Sequence, residues 1–395
     1  MSNLSNSVPK ESAVGLCLSG GGFRAALFHL GALRRLNELG ILSKVDTISS
    51  VSGGSIISAH LAARMQPWPN HGEEFAHWED NVAAPFREFV SHDIRTGPVA
   101  KRLLPWKWFS STTQVESLAT RYQKDLIQLT LDALPDHPRF IFCATDLVFG
   151  VNWVFEKEKV GDYQAGYLKP APPWSAAVAV AASSCFPPIF DPWIPPVKPD
   201  QLRGGMYPSG PERNELVASI RLSDGGVYDN LGMEPVWKED HKVLMVSDGG
   251  APFQFAASKT PMRRLNRYLS IVSNQSSSLR KRWLIANFAN HVKNGTYWGI
   301  ASDTKSYPKK IAVGYSKNLA QKYIAQIRTD LDCFSEGEKA VLENHGYLLA
   351  DAAIGSHLPA LVSLQKEPSA PHQDWMDETR VKEALKNSHK FKLLG

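Results

Sequence analysis

The sequence has no long apolar segment, no paired cysteines and no strong excess of charge. Its longest apolar run, at residues 176–182, is far shorter than the roughly 20 residues that cross a bilayer. Residues 1–12 are polar and lack the apolar stretch of a signal peptide. The four cysteines form no C-x-x-C pair, which argues against a disulfide framework or a zinc site and favours a reducing compartment. We therefore expect a soluble, cytoplasmic protein that at most rests on a membrane surface.

The composition excludes several further classes of protein. Hydrophobic residues make up 43% and charged residues 21%, so the chain is globular rather than disordered. Glycine and proline, at 28 and 26 of 395 residues, are too few for a collagen-like or low-complexity chain. The net charge of +5 is too small to indicate nucleic-acid binding.

Apolar patterning in the first 65 residues predicts strands that alternate with helices. A buried strand at residues 14–18 leads into a glycine turn and then into leucines at helical spacing. Residues 45–51 predict a second strand, followed by another glycine turn and another helix. This order predicts parallel strands with right-handed crossovers, and hence an α/β fold.

The rest of the chain divides into an insertion, further strands and a helical end. Residues 66–112 hold tryptophans among prolines and predict an irregular or helical insertion. Strand patterns return at residues 139–145, 151–155, 220–222 and 242–246. After residue 260 the pattern is mainly helical. We therefore expect a catalytic domain at residues 1–260, with a helical region at 261–395 packed on it.

The first glycine turn, Gly20-Gly21-Gly22, places backbone amides at the start of a helix. Such amides bind anions because they have no partner within the helix. They can hold a dinucleotide pyrophosphate, and the spacing of Gly20, Gly22 and Ala25 fits that loose fingerprint, or they can form an oxyanion hole. A dinucleotide site needs an acid near the end of the second strand, but Asp46 lies at its beginning. The pattern favours the oxyanion hole.

The second glycine turn carries a candidate nucleophile. Ser52 follows a strand and precedes Gly53 and Gly54, which is where a nucleophile elbow raises a serine toward solvent. Ser50 stands where such elbows have their first glycine. The alternative is that Ser52 is an ordinary helix N-cap. An oxyanion turn and an elbow on neighbouring strands together favour acyl transfer.

A serine nucleophile needs a base, and the residues offer more than one. Asp224 and Asp248 each follow a predicted strand and each precede two glycines, so the local pattern does not separate them. His60 and His29 lie on the two predicted helices beside the turns. Histidines at such positions are more often packed side chains than bases.

Several segments, taken in order, resemble the patatin-like phospholipases, including their cytosolic phospholipase A2 branch. The resemblance extends over roughly residues 14–250. It rests on SGGGFRA at 19–25, SVSGG at 50–54, CATDL at 143–147, ASSCFPPIF at 182–190 and DGGVYDNL at 224–231.

The resemblance implies a three-layer α/β/α fold with a mostly parallel sheet and a Ser–Asp dyad without a catalytic histidine. It assigns Ser52 as nucleophile, and the tail after Asp224 selects that carboxylate as base over Asp248. It also implies an oxyanion hole formed by the amides around Gly20, Gly21 and Gly22, with Arg24 supporting the loop. No metal or other cofactor is required. Ala25 and Ser50 depart from the glycines usual in plant-type members and in the elbow, respectively.

The expected function is hydrolysis of fatty-acyl esters of phospholipids or lysophospholipids. Three alternatives stay open: a general carboxylesterase of the same fold, a non-catalytic or ligand-gated scaffold, and a nucleotide-activated effector that degrades membranes in bacterial defence. Lipid substrates also imply contact with a membrane surface. Trp106 and Trp108, which lie among basic residues, could insert at that surface or pack within the insertion.

Overall fold

A computed structural model describes residues 13–97, 114–187, 189–239, 241–253, 261–309 and 313–390. Within these residues nine strands form one sheet. The strands are β1 (Val14–Leu18), β2 (Thr47–Val51), β3 (Arg139–Asp146), β4 (Val151–Phe155), β5 (Val160–Asp162), β6 (Gly166–Leu168), β7 (Leu222–Asp224), β8 (Val243–Asp248) and β9 (Asn294–Gly299).

The sheet has a parallel centre and an antiparallel side. Strands β3, β2, β1, β8 and β9 are parallel neighbours in that order, and β4, β5 and β6 continue beyond β3 as antiparallel strands. Strand β7 also pairs with β3, antiparallel and on the β2 side. The carboxyl ends of the five parallel strands therefore lie at one edge, which is where open α/β sheets place their sites.

Helices cover both faces of the sheet and complete the expected three-layer α/β/α fold, which is confirmed. The described helices are α1 (Gly22–Glu38), α2 (Gly53–Arg64), α3 (Ala84–Phe89), α4 (Gln114–Asp125), α5 (Ala176–Ser183), α6 (Pro211–Ala218), α7 (Gly226–Asp229), α8 (Glu234–Lys238), α9 (Pro261–Ala289), α10 (Lys317–Lys322), α11 (Glu336–His357) and α12 (Glu378–Leu385). Helix α1 packs against α2 and α11, whereas α8 packs on the opposite face of β1 and α9 packs beside α7 and β9. A π-helical segment, Glu79–Ala83, precedes α3.

Strand β1 is buried on both faces, as a central parallel strand must be. Leu16 and Leu18 pack into the large core under α1, whereas Cys17 packs with Val246 and Leu284 on the opposite face. This alternation follows from the two-residue period of a strand. It explains why the sequence of β1 is continuously apolar.

Helix α11 lies against α1 and is almost completely buried. A capping box begins it: the Ser335 hydroxyl accepts from the Glu338 amide at 3.3 Å, and the Glu338 carboxylate accepts from the Ser335 amide at 2.8 Å. The two helices touch at glycines. A Cβ on Gly346 would overlap the Phe28 carbonyl oxygen, so only glycine allows this approach.

The region after residue 260 contributes to the sheet as well as to the helical layers. Its strand β9 pairs in parallel with β8, and helix α11 packs against β9 as well as α1. The division into residues 1–260 and 261–395 stays a proposal about how the chain is organised. No helix among the described residues is both long enough and apolar enough to cross a membrane.

Replacing Gly346 by Ala tests the contact between α1 and α11. In most helix interiors Gly→Ala stabilises by up to about 1 kcal/mol. Here the added methyl overlaps the Phe28 carbonyl, and we expect a loss of about 1–3 kcal/mol, measured as a lower Tm. Gly355→Ala in the same helix is the control, because its Cβ meets only the flexible Lys309 side chain. Equal Tm values for the two variants would contradict this packing.

Candidate active site

The backbone at Ser52 is strained. Ser52 has φ 51° and ψ −117° between β2 and α2, and only one other described non-glycine residue has a positive φ. Such a conformation costs on the order of 1–3 kcal/mol and persists only where its surroundings hold it. This is the geometry of a nucleophile elbow, which the pattern at residues 50–54 predicts.

Ser183, at the end of α5, holds the elbow. Its hydroxyl accepts a hydrogen bond from the Ser52 amide at 3.0 Å and donates to the Cys143 carbonyl at 2.6 Å. The Ser55 hydroxyl lies 2.9 Å from the Ser183 hydroxyl oxygen and 3.2 Å from the Ser50 hydroxyl oxygen. Ser50 therefore fits within a buried serine cluster in place of the elbow's first glycine.

The elbow rests directly on the first glycine turn. A Cβ on Gly53 would overlap the Gly22 carbonyl, and one on Gly54 would overlap the Leu18 carbonyl. The Gly54 amide donates to the Ser19 carbonyl at 3.1 Å. The first glycine turn and the elbow, which are separate motifs in the sequence, are thus in direct contact in the fold.

Asp224 reaches Ser52 because β2 and β7 meet end to end along β3. Val51, the last residue of β2, pairs with Cys143, and Asp224, the last residue of β7, pairs with the adjacent Ala144. The Thr145 hydroxyl donates to the Asp224 carbonyl at 2.8 Å. The nucleophile candidate and the carboxylate therefore leave the sheet at the same point.

The Asp224 carboxylate is only partly satisfied. Its Oδ1 accepts from the Gly226 amide at 2.7 Å, whereas Oδ2 is buried without a hydrogen-bond partner among the described residues. Burial raises the pKa of Asp224 to about 6, against the opposing effects of the Gly226 amide and the Ser52 side chain. The Ser52 side chain lies close enough to the carboxylate to lower its pKa, although none of the described hydrogen bonds reaches Oδ2. Catalytic hydrogen bonds often tighten only when substrate is bound.

The amides of the first glycine turn differ in their availability. The Gly20 amide donates to the Asn230 carbonyl at 3.0 Å, so it is already engaged. The Gly21 and Gly22 amides have no partner in the described part of the chain. Gly21 and Gly22 have φ values of 144° and 60°, a backbone that favours glycine. A Cβ on Gly22 would also lie 2.6 Å from the Asp330 carbonyl oxygen.

Arg24 lies behind this turn, inside the protein. Its Nε donates to the Gly249 carbonyl at 3.1 Å and its Nη1 to the Ile327 carbonyl at 2.8 Å. The third nitrogen, Nη2, is buried without a partner among the described residues, and a Cβ on Gly21 would lie 3.0 Å from it. Burial lowers the pKa of Arg24 to about 10, so the guanidinium stays charged at neutral pH.

Asp248, the rival carboxylate, is fully engaged. It pairs with Lys281, accepts from the Tyr297 hydroxyl at 2.7 Å and accepts from the Gly250 amide at 2.9 Å. Although burial acts to raise it, the pKa of Asp248 is lowered, chiefly by Lys281. This environment is that of a structural ion pair rather than of a base.

The two candidate histidines have structural partners. His29 bonds the Ser247 hydroxyl at 2.8 Å and the Ser19 carbonyl at 2.9 Å, and His60 bonds the Val82 carbonyl at 2.9 Å. Burial lowers the pKa of each to about 4. Neither forms a hydrogen bond to Ser52 in the described structure.

Sequence reasoning missed two residues of the site. Ser183 lies in residues 182–190, which resemble the family without giving this serine a role at the site, and its contact with the Ser52 amide depends on the packing of α5 against α2. Asn230 lies in the tail after Asp224, and its carbonyl binds the Gly20 amide. A serine at the end of an alanine-rich helix was the one local signal for Ser183.

Ser52 and Asp224 are nearly covered, with 7% and 2% of their surface exposed. Trp106 and Trp108 lie outside the described residues. Within the described ranges, no group of three or more His, Cys, Asp or Glu side chains is arranged to hold a metal ion.

The opposite pKa shifts of Asp224 and Asp248 predict opposite effects on stability. Asp224 has a folded-state pKa of about 6, above the ~3.9 of an unfolded chain. The contribution of this carboxyl group to the stability of the fold is therefore fully present below about pH 4 and is lost as the pH rises through 6. Asp224→Asn removes this penalty, and we expect a gain on the order of 3 kcal/mol above about pH 7 that vanishes near pH 4.

Asp248→Asn is the control of opposite sign. Because the pKa of Asp248 is lowered in the folded state, the ionised carboxylate stabilises the fold at pH values above its unfolded-state pKa, and this stabilisation is lost in acid. Asp248→Asn removes it and should therefore lower the Tm at neutral pH. Tm values measured across the pH range for both variants check the pair. A difference between Asp224→Asn and wild type that does not change with pH would refute the assignment.

Comparisons with known proteins come from solved structures, curated proteins and family models. A human GIVD cytosolic phospholipase A2 structure matches with 12% identity and a TM-score of 0.43, over 98% of this chain and 64% of that chain. The same human enzyme in complex with methyl gamma-linolenyl fluorophosphonate and terbium chloride matches with 14% identity and a TM-score of 0.49, over 98% and 61%. VipD from Legionella pneumophila matches with 14% identity and a TM-score of 0.34, over 89% and 68%. The chain therefore spans about three-fifths of the length of the human structures.

A comparison with curated proteins finds no match. The family model for patatin-like phospholipases matches residues 16–237, which include both glycine turns, the elbow and Asp224. This match covers more than half of the 395 residues, and the chain belongs to the patatin-like phospholipase family.

Proposed function

We propose that the protein is a serine acyl hydrolase that cleaves fatty-acyl esters of phospholipids or lysophospholipids. One observation carries the proposal: Ser52, on a strained elbow, lies beside the buried Asp224 carboxylate, one oxygen of which has no hydrogen-bond partner in the described part of the chain. Membership of the patatin-like phospholipase family supports a lipid ester as substrate.

In the first step, Ser52 Oγ attacks the acyl carbonyl carbon while Asp224 Oδ2 accepts the hydroxyl proton. The carbonyl oxygen becomes an oxyanion, and the amides of Gly21 and Gly22 stabilise it. The Gly53 amide, which follows the nucleophile and has no partner in the described structure, is a third donor. Collapse of the intermediate forms an acyl-serine and releases the alcohol, which takes the proton from Asp224.

In the second step, water hydrolyses the acyl-serine. Asp224 takes a proton from the water as its oxygen attacks the same carbonyl carbon. The fatty acid leaves, and the proton returns to Ser52. Neither step uses a histidine, which agrees with the structural hydrogen bonds of His29 and His60.

The raised pKa of Asp224 suits this role. A carboxylate with an ordinary pKa of about 4 is a weak base. With a pKa of about 6, Asp224 holds a proton more strongly and yet is mostly ionised at neutral pH. Burial of the Asp224 carboxylate away from water therefore makes it a stronger base, and the same burial destabilises the fold when Asp224 ionises.

Substitution of the proposed dyad tests the function. We expect Ser52→Ala to lower fatty-acid release by about a thousandfold or more, because no nucleophile remains. Asp224→Asn should lower it by roughly 10²- to 10⁴-fold, the range of a general base. Mass-spectrometric profiling of a membrane-lipid extract measures the fatty acids and lysolipids released.

Asp248→Asn, assayed below its own Tm, is the matched control and should keep most of the activity. Release of fatty acid by Ser52→Ala at the wild-type rate would refute the proposal. Wild-type protein that is folded and releases no acyl chain from any lipid would instead favour a non-catalytic or ligand-gated scaffold.

Ser183 is proposed as a positioning residue. Ser183→Ala removes the acceptor of the Ser52 amide, and we expect kcat to fall about tenfold while KM changes little, since the substrate does not need this contact to bind. Ser58→Ala is the control, because the Ser58 hydroxyl in α2 is equally buried but has no hydrogen-bond partner among the described residues. Equal kcat values for the two variants would contradict a role for Ser183 in positioning Ser52.

A further inference from the structure

Helix α9, at residues 261–289, is the longest helix described, and it has little contact with the other described elements. Among its described side chains none before Leu284 is buried. Leu284 and Phe288 fix its end in the small core that also contains Val246. The helix lies outside the part of the chain that the family model matches.

The direction of α9 carries it past the edge of the sheet that holds Ser52. Lys281 pairs with Asp248, at the carboxyl end of β8, whereas Phe288 lies against Gly295, near the start of β9. The helix therefore runs antiparallel to these strands, and the residues before Lys281 extend beyond their carboxyl ends. Twenty residues, 261–280, correspond to about 30 Å of helix.

The outward side of α9 carries an apolar stripe. Tyr268, Val272 and Leu279 are spaced to lie along it, with Ile271 beside it. Trp283 continues the stripe toward the end of the helix, where its ring packs on Trp237 of α8 with the centroids 3.7 Å apart. The side chains of the stripe are exposed, Val272 at 68% and Leu279 at 59%. Exposed apolar side chains are normal singly, but several of them along one face of a helix indicate a contact surface.

The same region carries a large net positive charge. Residues 249–329 contain fourteen Lys and Arg but a single acid, Asp303, for a net +13. Since the whole chain is +5, the remainder is −8. Within α9 there are six cations and no acid, and Arg264 and Arg282 are exposed beside the apolar stripe. The modest total charge conceals this asymmetry.

We infer that the outward face of α9, formed by the apolar stripe with Arg264 and Arg282, docks on an anionic lipid bilayer. Apolar side chains that enter the headgroup region, flanked by cations, are what binds a helix to such a surface. This inference rests on the proposed function and names its membrane contact.

Other occupants fit the α9 face less well. Nucleic-acid binding relies on contacts to phosphates and leaves an aliphatic stripe without a partner. A second copy of the chain would bring two surfaces of like charge together. An anionic bilayer satisfies both the charge and the apolar stripe.

The docked helix is fixed to both sides of the candidate active site. Lys281 pairs with Asp248, whose neighbour Gly249 binds Arg24 under the oxyanion turn. Arg280 donates to the Tyr228 carbonyl and lies near Asp229, in the turn that follows Asp224. Docking of α9 therefore holds the Ser52 edge of the sheet close to the lipid.

Vesicle co-sedimentation tests the inference on the full chain. Vesicles of ether-linked phosphatidylcholine, with or without ether-linked phosphatidylserine, contain no acyl ester and stay intact. We expect wild-type protein to bind the phosphatidylserine vesicles, and Val272→Ser/Leu279→Ser to bind them roughly tenfold or more weakly. Each lost cation should weaken binding to the phosphatidylserine vesicles about fivefold, so we expect Arg264→Gln/Arg282→Gln to bind them about 25-fold more weakly. Binding of this variant to vesicles of phosphatidylcholine alone should differ little from that of wild type.

The matched control is Met206→Ser/Lys198→Gln, which changes an exposed apolar residue and an exposed cation outside α9. It should bind the vesicles as wild type does.

Hydrolysis of a water-soluble short-chain ester separates this inference from the proposed function, and the α9 variants should retain that hydrolysis. Absence of wild-type binding, or equal binding by the α9 and control variants, would overturn the docking surface. Loss of self-association or of nucleic-acid binding in the α9 variants, with vesicle binding unchanged, would overturn it in favour of the other occupant.

Discussion

The candidate active site depends on two strands that meet end to end along β3. Strand β2 occupies one part of that edge and antiparallel β7 the next, with Cys143 and Ala144 as adjacent partners. A chain leaving β2 and a chain leaving β7 must therefore emerge at the same place. The serine and the carboxylate that a hydrolase needs come from residues 172 positions apart, and this pairing brings them together.

The candidate active site carries a cost in stability, and the neighbouring residues offset it. Ser52 is held in a strained conformation, and Asp224 is ionisable and buried, with a hydrogen bond from the described residues to only one of its two oxygens. The hydroxyl of Ser183 and the close contact of Gly53 with the first glycine turn hold the elbow in place. Strain and incomplete solvation are typical of active sites, because the same features that destabilise the fold prepare the reacting groups.

Local features of the site could be predicted from the sequence, whereas its long-range contacts could not. The two glycine turns and the alternation of strands and helices are visible because each depends on a short stretch of chain. The local patterns at Asp224 and Asp248 are alike, and what distinguishes their environments is Lys281, far along the chain, which pairs with Asp248. The engagement of the Gly20 amide by Asn230 and the addition of β9 to the sheet also depend on distant segments. Helix α9 shows the same limit, since its basic, apolar sequence does not reveal which side faces solvent.

The rate at which a fluorophosphonate labels Ser52, measured against pH, tests the central claim most directly. Such a probe reacts with a serine only when a nearby base activates its hydroxyl. The account predicts one labelled peptide, containing Ser52, and a rate that rises as the pH passes through about 6, where Asp224 ionises. Labelling of a different serine, no labelling of folded protein, or a rate at Ser52 that does not change between about pH 5 and 8 would contradict it.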